Sequence, residues 1–157
     1  MIKNKRGFTL IELLVVIAII GILAGLLLVN FSNVRMRTRD AQRKSDLRQI
    51  KTSLVLYYSV WSEYPAANSG HIVGCGTPPS ACTWGSVWSR GETVFMKPLP
   101  ADPLAPDPNY YYSYDKTGVD SFTIIAILEN KSDKEIKESQ TKCSFTGTNS
   151  QYVVCQD

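Results

Sequence analysis

Histidine occurs once in these 157 residues, at His71. A single imidazole excludes a histidine-built metal centre and leaves a serine–histidine–acid arrangement only one candidate base. That base lies in the Ser- and Gly-rich stretch NSGHIVG and reads as solvent-facing rather than catalytic. A glycine-rich phosphate loop and a paired-carboxylate motif are also lacking, so the residues point away from an enzyme. Two further scarcities are local. Between residues 26 and 64 there is neither glycine nor proline, so nothing there breaks a helix. Between residues 8 and 31 there is one charged side chain, Glu12.

What fills that second gap is apolar. Leu13 to Val29 is a run of 17 apolar or glycine residues. The 24 residues from Phe8 to Phe31, at about 1.5 Å each in a helix, reach roughly 36 Å, enough to cross a hydrocarbon core of ~30 Å with tilt. The run is longer than the apolar part of a cleaved secretory signal and ends in Asn30-Phe31-Ser32-Asn33 without a small-residue cleavage site, which favours a retained helix. Basic residues flank it on both sides, Lys3, Lys5 and Arg6 before and Arg35, Arg37, Arg39, Arg43 and Lys44 after, so charge alone leaves orientation open. Cysteine decides it. Cys75, Cys82, Cys143 and Cys155 all follow the span and are even in number, which suits two disulfides in an oxidising space outside the cytoplasm. Three pairings are possible, and proximity puts 75–82 with 143–155 first.

Beyond the span, Leu47, Ile50, Leu54, Tyr57, Tyr58 and Trp61 recur at three- and four-residue steps and form one stripe on a continuing helix. The helix is expected to stop before the Tyr64-Pro65 pair. Residues 32–62 carry seven basic and two acidic side chains, a pattern that raises nucleic acid as a partner. Residues 63–157, with seven basic and eleven acidic side chains, make complementary charge between neighbouring subunits the simpler account, and no nucleic acid is expected. All eight prolines fall between residues 65 and 108, which reads as a long irregular connection holding Trp84 and Trp88. Residues 110–129 read as a β-hairpin whose second strand puts Phe122, Ile124, Ala126 and Leu128 on one face, and QYVVC at 151–155 reads as a last strand. The expected fold is α+β, a long N-terminal helix packed on a small antiparallel sheet.

The stretch RGFTLIELLVVIAIIGILAGL resembles the N-terminal signature of type IV pilins and type II secretion pseudopilins. DLRQIKTSLVLYYSVWSEYP, LPADPLAPDPNYYYSYD and FTIIAILEN resemble the major, G-type pseudopilins in particular. The resemblance implies a pilin fold and a structural subunit of a helical filament. Residues 1–7 would be a leader, 8–31 a membrane and filament-core helix, 32–62 its amphipathic continuation, and 63–157 a globular domain ending in a disulfide region at 143–155. A prepilin peptidase would cut between Gly7 and Phe8, and the new amino group of Phe8 would be methylated. Loss of Lys3, Lys5 and Arg6 takes the 17 basic residues to 14, against 14 acidic ones.

The implied partners are copies of the chain, the peptidase, an inner-membrane assembly platform, minor pseudopilins and the membrane itself. The implied location is the cytoplasmic membrane, with the N-terminus cytoplasmic, and then a periplasmic or cell-surface filament. Glu12 would meet the Phe8 amino group of a neighbouring subunit. The resemblance also makes calcium a possible ligand, in an acidic, glycine-rich loop after the second strand. Here NKSDKEIKESQTKC alternates lysines with acids, and no cofactor is expected. Two other functions fit parts of the chain: a monomeric membrane-anchored ligand- or glycan-binding protein using the Trp84–Trp88 loop, and a DNA-uptake pseudopilin.

Overall fold

The computed structural model describes residues 8–156, without the side chains of residues 26–30. One helix, α1 (Leu10–Trp61), is followed by β1 (Ala66–Asn68), β2 (His71–Cys75), β3 (Ser80–Ala81), β4 (Trp88–Arg90), β5 (Thr93–Met96), β6 (Tyr112–Asp115), β7 (Thr123–Ile127), α2 (Lys134–Lys142) and β8 (Gln151–Cys155). The strands pair antiparallel in the orders β1-β2-β3, β4-β5 and β6-β7-β8. The class is α+β. Two compact units divide between Met36 and Arg37.

In the second unit α1 carries the core. Leu47, Ile50, Leu54 and Tyr57 are fully buried, and their spacing puts them on one helical face. They belong to a single cluster with Tyr112 and Tyr114 of β6, Ile124 and Ala126 of β7, Tyr152 of β8, and Ile72, Trp88, Phe95 and Leu99 of the proline-rich region. Each large side chain so buried stabilises the fold by about 1.5–3 kcal/mol. Ser62, at φ 55°, ends the helix by leaving its right-handed region.

Two sequence expectations are corrected here, and one element that the sequence left unassigned is added. Trp61, placed in the core stripe by its spacing, is 41% exposed and lies under the Arg90 guanidinium at 3.8 Å. Residues 65–108 hold five short strands rather than an irregular connection. Gly74 in β2 shows why they pack tightly: a Cβ there would come within 3.2 Å of Trp88 Nε1 and 3.3 Å of Tyr57 and Pro65. Finally, residues 131–142 contain α2, capped by Asp133, whose side chain accepts from the Glu135 amide.

The basic part of α1 holds a third correction. Arg43 is fully buried, and its Nε and Nη2 donate to Asp102 at 2.7 and 2.9 Å. Its Nη1 donates to Asp40 and Glu129, both at 2.7 Å. Arg39 donates to both oxygens of Glu129, and Lys44 pairs with Asp133 and Glu135. Three of the seven basic charges are thus met inside the subunit rather than by acidic neighbours, because the chain folds residues 102 and 129–135 back onto α1. Burial opposes the Arg43 charge, yet the bonds from Asp102, Glu129 and Asp40 outweigh it and raise its pKa. The bond from Arg39 holds the Glu129 carboxyl below its usual range, against the effect of burial and with help from Arg43.

Removing one partner from such a buried set strands the others. Arg43→Met is expected to lower stability by about 3–5 kcal/mol. Arg39→Met, whose side chain is 29% exposed, should cost no more than about 1 kcal/mol. Chemical denaturation of the two variants measures both. Equal losses would show that burial of the guanidinium does not set its contribution.

Candidate functional site

Phe8 and Thr9 precede the first turn of α1, and Glu12 lies in it. Thr9 and Glu12 satisfy one another. The Glu12 Oε2 accepts from the Thr9 amide at 2.8 Å and from Thr9 Oγ1 at 2.6 Å, while Thr9 Oγ1 accepts from the Glu12 amide at 3.3 Å. This is a capping box, in which a residue before the helix and an acid three positions later each take an amide that the helix itself leaves unpaired. The Thr-x-x-Glu spacing before an apolar run was visible in the sequence, but Glu12 was read there only as an acid awaiting a partner.

Around this carboxylate the surface is apolar and bare. Phe8 is 78% exposed and Leu10 82%, and Ile11, Leu13, Leu14, Val15, Val16 and Ile17 are exposed as well. Phe8, Ile11, Val15 and Val16 line a shallow concavity with Glu12. Gly21 and Gly25, a spacing that lets helices approach closely, would each accept a Cβ with nothing within 4 Å. Gly7, the other half of the expected cleavage site, lies outside the described residues. Among the described residues no helix is long and apolar enough to cross a membrane. The expected span of residues 8–31 includes residues 26–30, whose side chains are not described.

The residues behind the other functions are placed differently. Trp88 is fully buried, with its Nε1 donating to the Gly74 carbonyl at 3.2 Å. Trp84 is partly buried and packs edge-on against Tyr112. Neither forms an open aromatic platform for a glycan. His71, expected in solvent, is half-buried on β2 with Nδ1 3.0 Å from the Cys82 carbonyl oxygen. Disulfides join Cys75 to Cys82 and Cys143 to Cys155, the first closing β2 onto the turn after β3, the second tying the end of α2 to β8. Charged side chains on α1 are thus paired inside one unit, while its apolar residues stand exposed in the other.

Residues 2–28 match the prokaryotic N-terminal methylation motif. A type II secretion system core protein G of Escherichia coli is 33% identical over 120 residues, covering 71% of this chain and 79% of that protein. The chain belongs to the type II secretion core protein G family. A second member of that name, from Vibrio cholerae, is 29% identical over 124 residues, with 78% of this chain and 81% of the relative covered. A type IV major pilin protein of Myxococcus xanthus is 41% identical over 61 residues, 39% of this chain and 28% of that protein. No solved structure matches.

In this G-type pseudopilin the capping box gives Glu12 a measurable local role. Thr9→Val removes the hydroxyl that holds the Glu12 amide, and loss of such a cap costs about 0.5–2 kcal/mol. Hydrogen exchange at the Glu12 amide in detergent micelles should quicken about 2- to 30-fold, while Thr9→Ser stays near the parent rate. An unchanged rate in Thr9→Val would show that the box does not hold the first turn.

Proposed function

We propose that this chain is a structural subunit of a type II secretion pseudopilus, anchored in the inner membrane by residues 8–31 and then drawn into an extracytoplasmic filament. One observation carries the proposal: a single carboxylate, Glu12, stands at the start of a helix whose apolar residues are bare from 10 to 25. A lone chain gains a capped first turn from Glu12 but nothing from the bare apolar surface beside it. A carboxylate carried toward the middle of a bilayer costs roughly 2.5–3.5 kcal/mol, less near the interface. The Thr9 bonds lower that penalty by satisfying Oε2 while the subunit is alone, and they leave Oε1 for a second donor.

Prepilin peptidase cleavage after Gly7 would supply that donor, the amino group of Phe8. In the filament, Phe8 of one subunit would meet Glu12 of the next among packed apolar helices, where no water competes for either charge. The pair fixes axial register because it closes at only one offset between neighbours. Apolar surface on residues 10–25 buries in the same step and drives the packing. An inner-membrane assembly platform and minor pseudopilins are the partners that would start and feed such a fibre.

The proposal also explains why the globular unit is stapled so firmly. Extraction from a membrane pulls on α1, and the buried Arg43 cluster joins α1 to residues 102 and 129 across long sequence separations. A subunit that came apart at this junction would lose the helix face on which its core is built.

Purified filaments should contain chains that begin at N-methylated Phe8, read by mass spectrometry. Glu12→Leu should still be cut after Gly7, because the basic leader and the scissile bond are untouched, yet filament yield should fall steeply. An incoming ammonium would then be buried without its partner, at a cost of about 3–5 kcal/mol. Wild-type filament yield from cleaved Glu12→Leu chains would refute the pairing.

A further inference from the structure

The segment between β7 and α2 is where the family resemblance makes calcium possible, and the donors there do not fit that ion. Calcium takes six to eight oxygen ligands, several of them carboxylates free to turn toward it. Here both oxygens of Glu129 are engaged by Arg39, and Oε1 also by Arg43. Asp133 spends Oδ1 on the Glu135 amide as the cap of α2. Asn130 Oδ1 accepts from the Ser132 amide at 3.2 Å. Asp40 on α1 takes the Glu129 and Asn130 amides at 3.0 and 2.9 Å. Among the described residues, no group of three or more histidine, cysteine, aspartate or glutamate side chains is placed to hold a metal.

A different cation stands at this point. The Lys44 ammonium lies 2.6 Å from Asp133 Oδ2 and 2.9 Å from Glu135 Oε1, with its side chain only 9% exposed. It also lies 5.8 Å from the centre of the Tyr152 ring. One side chain of α1 therefore touches the cap of α2, the first turn of α2 and β8. Burial works against the Lys44 charge, and the bonds from Asp133 and Glu135 overcome it.

We infer that Lys44 is a built-in cation that does the structural work of a bound calcium ion, so that the junction of α1, α2 and β8 forms without calcium. The inference stands on these donors and is independent of the filament proposal. A tethered cation has no dissociation equilibrium with the medium, so neither dilution nor a chelator removes it. The same junction becomes sensitive to loss of one covalent charge.

Thermal unfolding of the full mature chain in detergent micelles, followed by circular dichroism, tests this without any filament. Wild-type Tm should be the same in chelator and in millimolar calcium. Lys44→Gln, which keeps the stem and removes the charge, should melt several degrees lower under both conditions. Lys131→Gln, an exposed charge in the same segment, should match wild type, and Lys44→Arg should recover part of the loss. If Lys44→Gln fails to fold while Lys44→Arg folds, the need for a cation there is upheld. A calcium-dependent rise in wild-type Tm, or equal melting of Lys44→Gln and Lys131→Gln, would overturn the inference.

Discussion

An apolar helical surface that its own chain leaves bare must be covered by something else, and here that surface is the first part of α1. Residues 10–20 present leucine, isoleucine and valine with roughly half or more of each exposed. Burying such side chains is worth about 1.5–3 kcal/mol apiece, so leaving them in water would offset much of what a small domain gains on folding. The covering must be lipid or other copies of the helix, and a filament subunit needs each in turn. Glu12 is the group that makes the two environments unequal. Lipid offers it no ionic partner, whereas in the proposed filament a bundle of cleaved subunits would offer it the amino group of Phe8.

The globular unit solves a related problem at the other end of the same helix. From Asp40 to Asp46 α1 carries four ionisable residues, and all four are buried along with Asp102. Burial is tolerable because the polar atoms are paired: Arg43 with three carboxylates, Lys44 with two, and Asp46 with the Tyr112 hydroxyl at 2.7 Å. Below this polar band the helix turns apolar, and Leu47 to Tyr57 form the core with the sheet. The ionic band and the apolar stripe together fix both the rotation and the axial position of α1 against the rest of the unit.

Much of this architecture was legible in the sequence, for a physical reason. The absence of glycine and proline from residues 26–64 and the spacing of Leu47, Ile50, Leu54 and Tyr57 are local signals, and local signals determine a helix and its buried face. The alternation of Phe122, Ile124, Ala126 and Leu128 did the same for β7. Strands of two to five residues in the proline-rich region carry no such pattern, so β1–β5 went unread. In α2 only Ile136 is buried, so its sequence shows polar residues without a stripe. The ion pairs were hidden for another reason: Arg43 meets Asp102 and Glu129 across 59 and 86 residues, and charge pattern does not say which acid folds back onto which base. At the candidate site, Glu12 stood out by its solitude, while its bond to Thr9 was a local signal passed over.

The central claim is that Glu12 of one subunit pairs with the amino group of Phe8 of another. Solid-state NMR on filaments assembled from two separately labelled pools, one with nitrogen-15 in phenylalanine and one with carbon-13 in glutamate, tests it directly. The account predicts magnetisation transfer between the Phe8 amine and the Glu12 carboxylate in the mixed fibre, at a separation of about 4 Å or less. Transfer seen only when both labels are in the same chain would contradict it.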